Sequence, residues 1–222
     1  MYKATRPDGT DFNTGTVDYA SKAGKRLLVK HPNPVSGSSE ASYYLSLSTV
    51  ATDCTGFRWP CRLFEVEPSG PSWTPHSGSL PNKRAATKVR VIRELPAWQV
   101  FGPNGEAIVK IIDAFEKLTS VQRAALRDAY YARSYDFDRA WSVAYRVGLS
   151  GRVGLEAALN ALGVLLGGWV VGDAACGSAL AVLLRDQIGD EFTQAHYNAL
   201  TMPWAKVMGE AHPADKTLAS AK

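Results

Sequence analysis

The sequence predicts an α+β protein in which a β-rich amino-terminal domain, residues 1–102, is followed by a helical domain, residues 103–222. Two observations lead to this prediction. In the first half, apolar and polar side chains alternate over short runs, which is the period of half-buried strands. In the second half, apolar residues recur every three or four positions, which is the period of helices that bury one face. Hydrophobic residues make up 45% of the 222 residues, enough to exclude a disordered or fibrous chain.

The strands are predicted from alternation and from β-branched and aromatic residues. They are Tyr2–Thr5, Arg26–Lys30, Tyr43–Val50, Arg62–Glu67 and Lys88–Leu95. In the last two, Phe64 and Val66, and likewise Val89 and Val91, share one face. Residues 68–82 contain four prolines and two glycines, so this segment is expected to be an exposed loop.

The helices are predicted from the 3.6-residue period and from capping signals. The first carries the apolar series Ile108, Ile111, Ile112, Phe115 and Leu118. Thr119-Ser120-Val121-Gln122 fits a capping box and predicts the start of a second helix. A third is expected over Phe137–Val147, and a short one capped by Thr193 is expected to run through Leu200 and stop at Pro203.

The segment 155–184 has only two charged residues, Glu156 and Asp173, together with many small and apolar ones. Its glycines include two pairs at GxxxG spacing, which also occur in membrane helices. However, Asn160 and Asp173 interrupt the apolar run well before the roughly 18 residues that a membrane span needs. The segment therefore predicts helices buried on nearly all sides and no membrane span.

Charge, cysteine and histidine content restrict the classes of partner and cofactor. The net charge of +4 is concentrated in the first half. There the basic residues form two clusters: Lys22, Lys25, Arg26 and Lys30, then Lys83, Arg84, Lys88, Arg90 and Arg93. Neither is a continuous run, so only weak nucleic-acid binding is expected. Cys54 and Cys61 lack zinc-ligand spacing, so no metal and no cofactor are predicted. Without an apolar leader, a reduced, cytoplasmic chain is expected.

One partial pattern concerns an enzyme. Arg6 follows the first strand, Ser46-Leu47-Ser48-Thr49 lies on a later one, and Glu65-Val66-Glu67 on another. This order resembles the Arg, Ser-Thr-Ser and Glu-x-Glu elements of ADP-ribosyltransferases. The resemblance implies that Arg6 contacts the phosphate of NAD, that Ser48 shapes the nicotinamide pocket, and that Glu67 stabilises the oxocarbenium-like transition state.

A broader resemblance covers about the first hundred residues. The blocks MYKATRPDGTDF, Ser48–Phe57, RLFEVEPSG and KVRVIREL are similar to an uncharacterised β-rich domain of actinobacteria and their bacteriophages, which is followed by Ala-rich helical tails. The resemblance implies no activity and no catalytic residue.

The leading functional hypothesis is a non-enzymatic phage or actinobacterial protein that forms a closed homo-oligomer through its helical half. Its basis is the apolar segment, which is larger than a lone helical domain easily covers. The interface is expected at Leu162, Leu166, Gly168, Trp169 and Gly172. The alternatives are an ADP-ribosyltransferase-like enzyme using NAD and a weak nucleic-acid-binding protein.

Overall fold

The computed structural model describes residues 1–25, 27–54, 56, 58–76, 80–148 and 169–215, with only the backbone of residues 169 and 170. The chain divides into two compact units, Met1–Val100 (unit 1) and Phe101–Lys222 (unit 2). Unit 1 is built on a seven-stranded sheet and unit 2 on helices. The prediction of an α+β fold is therefore confirmed.

Unit 1 contains one antiparallel sheet with the strand order β2-β7-β4-β1-β3-β6-β5. The strands are β1 (Tyr2–Thr5), β2 (Leu28–Lys30), β3 (Leu45–Ser48), β4 (Arg62–Pro68), β5 (Ser72–Trp73), β6 (Lys83–Ala86) and β7 (Lys88–Leu95). The first strand in the chain thus lies at the centre of the sheet, between β4 and β3.

One face of this sheet carries the main apolar core of unit 1. Phe64 and Val66 on β4 pack with Val89 and Val91 on β7, and all four are almost fully buried. This is the face that the alternation predicts. On the opposite face, Glu65 and Glu67 remain accessible to solvent.

The ladder at the centre of the sheet is incomplete on one side of β1. All four residues of β1 pair with β4, from Tyr2 opposite Glu65 to Thr5 opposite Arg62. With β3, β1 shares a single register position, Tyr2 opposite Ser48. Beyond that position a small cavity opens beside Lys3, Ala4 and Ser46. The interrupted ladder thus provides the space for the candidate site.

Among the described residues of unit 2, a central apolar helix contacts four others. The helices are α1 (Gly105–Glu116), α2 (Ser120–Tyr131), α3 (Ser134–Gly148), α4 (Trp169–Leu183) and α5 (Gln194–Met208). α4 contacts each of the other four, and its residues from Ala174 to Leu183 are buried. Small residues permit this close approach: a Cβ on Gly177 would lie 2.3 Å from the Phe137 ring. No helix among the described residues is long and apolar enough to cross a membrane.

The capping prediction for α2 is confirmed, whereas the predicted end of the last helix is wrong. Thr119 and Gln122 form the reciprocal capping box. Thr193 caps α5 as expected, but the helix continues past Pro203 to Met208. A proline removes one backbone hydrogen bond. The burial of Leu200, Pro203 and Trp204 in unit 2 outweighs that loss.

Two strand boundaries and one loop also differ from expectation. Ala41–Tyr43 forms a 3₁₀ turn, so β3 begins at Leu45. β2 begins at Leu28. Residues 68–82 are not entirely loop, because β5 lies within them and Trp73 packs edge-on against Tyr44, with 5.9 Å between ring centroids. The contact with the Tyr44 ring covers part of Trp73, which the proline content of the segment does not indicate.

Candidate functional site

The three residues of the transferase-like pattern do not gather at one place. Arg6 follows β1 and donates from Nη2 to the Phe12 carbonyl at 3.3 Å. Ser48 pairs with Tyr2 at the opposite end of β1, roughly 13 Å away at the rise of an extended strand. Glu67 is exposed and accepts a hydrogen bond from Arg90 at 3.3 Å. The sheet register therefore separates Arg6 from Ser48 and Glu67.

The residues of the expected oligomer interface fall mostly outside the described part of the chain. This applies to Leu162, Leu166 and Gly168, and of Trp169 only the backbone is described. Gly172 is buried in α4. The described part of the apolar segment is thus covered within unit 2 by its own helices.

Most of the second basic cluster is engaged by its own neighbours. Arg93 donates to Glu65 at 2.6 Å, Arg90 pairs with Glu67, and Arg84 donates to the carbonyl of Pro81 at 2.7 Å. Lys83, on β6, differs from these arginines. Its ammonium group makes no hydrogen bond or ion pair with any residue that the structure describes, and it borders the cavity beside β1.

This cationic cavity, defined by Lys3, Ser46, Cys54, Arg58 and Lys83, has a volume of about 90 Å³. Each side chain comes from a different element: β1, β3, the 3₁₀ turn before residue 54, the loop before β4, and β6. Arg58 is fixed by a 2.7 Å hydrogen bond to the Phe12 carbonyl and by that residue's ring, 5.3 Å from its guanidinium carbon. Three basic residues therefore converge on one small space.

Lys3 is the most unusual of them, because only 7% of its surface is exposed. Its Nζ lies 5.3 Å from the centroid of the Tyr19 ring. Burial, and then the charge of Lys83, lower the pKa of Lys3 to about 8, against a weaker attraction from Asp11. Within the described residues no acceptor forms a hydrogen bond or an ion pair with Nζ. A lysine side chain buried to this extent without an acceptor is rare in proteins.

The pKa of Lys83 is also lowered, mainly by burial, although Cys54 and Asp53 act in the opposite direction. The Asp53 carboxylate accepts a 2.6 Å hydrogen bond from the side-chain amide of Asn82. Part of its hydrogen-bonding capacity is thus already taken up. Lys83 and Lys3 repel each other across the cavity, which is the arrangement that an anion between them would relieve.

Cys54 is a neutral thiol at ordinary pH. Burial raises its pKa to about 12, although Lys3 and Lys83 favour the thiolate. The thiol donates to the Ala51 carbonyl at 2.9 Å. Because the nucleophile is the thiolate, Cys54 does not provide one at neutral pH. Burial likewise raises the pKa of Cys61 to about 12.

Tyr19 adds a second unpaired polar group next to Lys3. It is fully buried, and its hydroxyl has no hydrogen-bond partner among the described residues. Burial raises the pKa of Tyr19 far above its ordinary value. Asp11 does not serve this hydroxyl, since its carboxylate accepts from Thr14 and Val17 instead.

Unit 2 has a larger but differently built groove between α3 and α5, with a volume of about 720 Å³. Arg133 and Asp136 on its wall form an ion pair at 3.5 Å with each other. The rest of the wall combines four alanines and Met202 with the polar side chains of Arg139, His196, Asn198 and Thr201. No group of three or more potential metal ligands occurs in the part of either unit that the structure describes.

Lys3 and Arg58 belong to no motif of the sequence, and Lys83 belongs to the second basic cluster. The available signal was weak: a lysine within a four-residue strand. Whether such a lysine is buried depends on the position of that strand in the sheet.

No protein-family model, no curated protein and no solved structure matches the chain. The similarity to an actinobacterial and phage domain therefore stays a prediction.

Proposed function

We propose that unit 1 is a binding module for a small oxyanion, a phosphate or carboxylate group, which Lys3, Arg58 and Lys83 hold in the cationic cavity. The observation that carries this proposal is the pair of lysines at one cavity, neither with a hydrogen-bond acceptor among the described residues. Burying one unpaired charge disfavours folding, and a second like charge adds to that penalty. An anion between them would offset both effects.

The donors have the right chemistry for such a group. The ammonium groups supply donors that rotate freely, and the Arg58 guanidinium supplies a planar set that is already fixed at Phe12. The hydroxyl of Ser46 borders the same space. Charge-assisted hydrogen bonds in a partly buried site are stronger than neutral ones, so a small cavity is sufficient for binding.

Calorimetric titration with inorganic phosphate at pH 8 tests the proposal. An anion beside Lys3 raises the pKa of its ammonium group, so binding at this pH takes up as much as about half a proton per site. Titrations in two buffers with different ionisation enthalpies measure this uptake. Surface adsorption of phosphate does not involve Lys3 and gives no such uptake.

Variants locate the site. Lys83→Met is expected to weaken phosphate binding at least about tenfold, because one lost charge-assisted hydrogen bond is worth roughly 1.5–3 kcal/mol. Lys30→Met, at an exposed lysine of β2, is the matched control and is expected to bind normally. Binding that is unchanged in Lys83→Met, or that takes up no proton, would contradict the proposal.

Self-association through the helical half remains a second proposal. What supports it is the small-residue and apolar composition of residues 155–184. Light scattering of the whole chain and of Trp169→Asp tests it, and a stable monomer at micromolar concentration would contradict it. No observation of the structure favours the transferase-like or the nucleic-acid alternative.

A further inference from the structure

We infer that the anion is the carboxylate of a small aldehyde or keto acid, and that Lys3 binds its carbonyl carbon covalently as an imine. This inference rests on the proposed oxyanion site. It assigns Arg58 and Lys83 to the carboxylate and Lys3 to the carbonyl. The three basic residues thus have two different roles.

The first argument is the environment of Lys3. Its Nζ lies over the Tyr19 ring, a weak cation–π contact, and forms no hydrogen bond or ion pair with any residue in the described part of the chain. Only the neutral amine attacks a carbonyl carbon. In the protein without a bound anion, the pKa of about 8 leaves roughly a quarter of the Lys3 amine neutral at pH 7.5, against on the order of 0.1% for an ordinary lysine, and a bound carboxylate lowers this fraction.

The second argument is the contrast with the other groups at the cavity. Cys54 is held as a thiol by burial and donates to the Ala51 carbonyl. Arg58 is fixed in place by its hydrogen bond to the Phe12 carbonyl. Burial lowers the pKa of both Lys3 and Lys83, but Lys3 is the more deeply buried of the two and is therefore the best nucleophile of the cationic cavity. Arg58 and Lys83 beside it suit a carboxylate on the same small molecule.

The third argument is size. A volume of about 90 Å³ admits a few water molecules, and hence an acid of few heavy atoms. The two-carbon acid glyoxylate carries an aldehyde next to a carboxylate and fits this description. A nucleotide or a sugar phosphate would have to extend out of the cavity.

The reaction balances without an oxidant or reductant. The lone pair of Nζ attacks the carbonyl carbon and forms a C–N bond. The carbonyl oxygen then leaves as water, carrying both hydrogens of the neutral amine, and a C=N bond remains. The buried Tyr19 ring keeps water away from one side of Nζ, which disfavours hydrolysis of the imine.

Reductive trapping tests the inference. The protein is incubated with glyoxylate and cyanoborohydride at pH 7.5, and peptide mapping by mass spectrometry locates the resulting carboxymethyl groups. We expect Lys3 to be modified at least about tenfold faster than exposed lysines such as Lys25 and Lys110 in the same sample. Inorganic phosphate is expected to slow the modification of Lys3 alone.

Two further measurements separate the roles. Lys83→Met removes a charge that lowers the pKa of Lys3, so it is expected to slow the trapping of both aldehydes at Lys3. Glyoxylate also loses the contact to its carboxylate, and its trapping is expected to slow about tenfold more than that of the uncharged aldehyde acetaldehyde. Equal modification of Lys3 and the exposed lysines would overturn the imine. If phosphate still binds in that case, the oxyanion site stands; if phosphate does not bind, both proposals fail.

Discussion

The interiors of the two units treat buried polar groups differently. In unit 2 the Ser178 hydroxyl donates to the Ala174 carbonyl at 2.9 Å, and Thr201 donates to the Tyr197 carbonyl at 2.9 Å. Arg185 Nε is buried there without a hydrogen bond, but it forms an ion pair with the Asp215 carboxylate at 3.5 Å. In unit 1, Lys3 and Tyr19 are buried without such partners among the described residues. Since an unpaired buried group lowers stability, its presence indicates a requirement other than folding.

Of the three buried tyrosines among the described residues, Tyr19 and Tyr197 make the same comparison at matched chemistry, while the hydroxyl of Tyr44 is hydrogen-bonded to His76 Nε2 at 3.4 Å. The hydroxyl of Tyr197 donates to the Asp215 carboxylate at 2.8 Å, and burial followed by this carboxylate raises the pKa of Tyr197. The hydroxyl of Tyr19 has no equivalent partner in the described chain. Tyr197 therefore stabilises the fold through its hydrogen bond, whereas Tyr19 lies beside Lys3 at the candidate site without one.

The largest change in the free energy of unfolding is expected from Lys3→Met. The folded state lowers the pKa of Lys3 from 10.5 to about 8, so the folded protein carries a penalty of about 3 kcal/mol below pH 8. Methionine keeps approximately the volume of the lysine side chain and removes its charge. We expect the free energy of unfolding of unit 1 to rise by up to about 3 kcal/mol at pH 7.

The sign of the pH dependence follows from the direction of that shift. Between pH 8 and 10.5 the unfolded state binds more protons, so wild-type stability gains from this group as the pH rises. The higher stability of the Lys3→Met variant relative to the wild type therefore disappears over this pH range. Hydrogen exchange of β4 and β7 amides measures it for unit 1 alone. An advantage that is constant with pH would mean that Lys3 is not a penalised cation.

A smaller effect of opposite sign is expected from Tyr197→Phe. The change removes a hydrogen bond to a charged acceptor, which typically contributes 1.5–3 kcal/mol. We expect unit 2 to lose about 2 kcal/mol in urea unfolding followed by exchange of α4 and α5 amides. No loss in this variant would break the distinction between the two units.

The smallest effect is expected from Tyr19→Phe. Its hydroxyl has no hydrogen-bond partner in the described structure, so its removal relieves a desolvation penalty. We expect unit 1 to gain about 1 kcal/mol by the same exchange measurement. A loss comparable to that of Tyr197→Phe would show that the Tyr19 hydroxyl is satisfied in solution.

The elements of the fold were largely predictable, because they depend on local patterns. The alternation of Phe64 and Val66 and the capping box at Thr119 each occupy a few consecutive residues. The continuation of α5 through Pro203 was not predictable, because tertiary burial outweighs the local signal. The local sequence pattern does not predict the structure where packing against residues that are distant in the chain determines it.

The candidate site was not predictable for the same reason. Lys3 lies in a strand that local reasoning cannot place at the centre or the edge of a sheet. Its burial depends on β4 on one side and on the interrupted ladder with β3 on the other. Cys54, Arg58 and Lys83 then reach it from segments far away in the chain.

The central position of β1 also affects how the protein is made. Its hydrogen-bonded neighbours β3 and β4 are synthesised well after it, and β7 must follow before the sheet is complete. A nascent β1 therefore leaves the ribosome without the strands that cover it. Pairing between strands that are far apart in sequence slows folding. In the helices of unit 2, by contrast, most backbone hydrogen bonds join residues that are close together in sequence. Chaperone dependence during translation is therefore expected to concentrate on the first hundred residues.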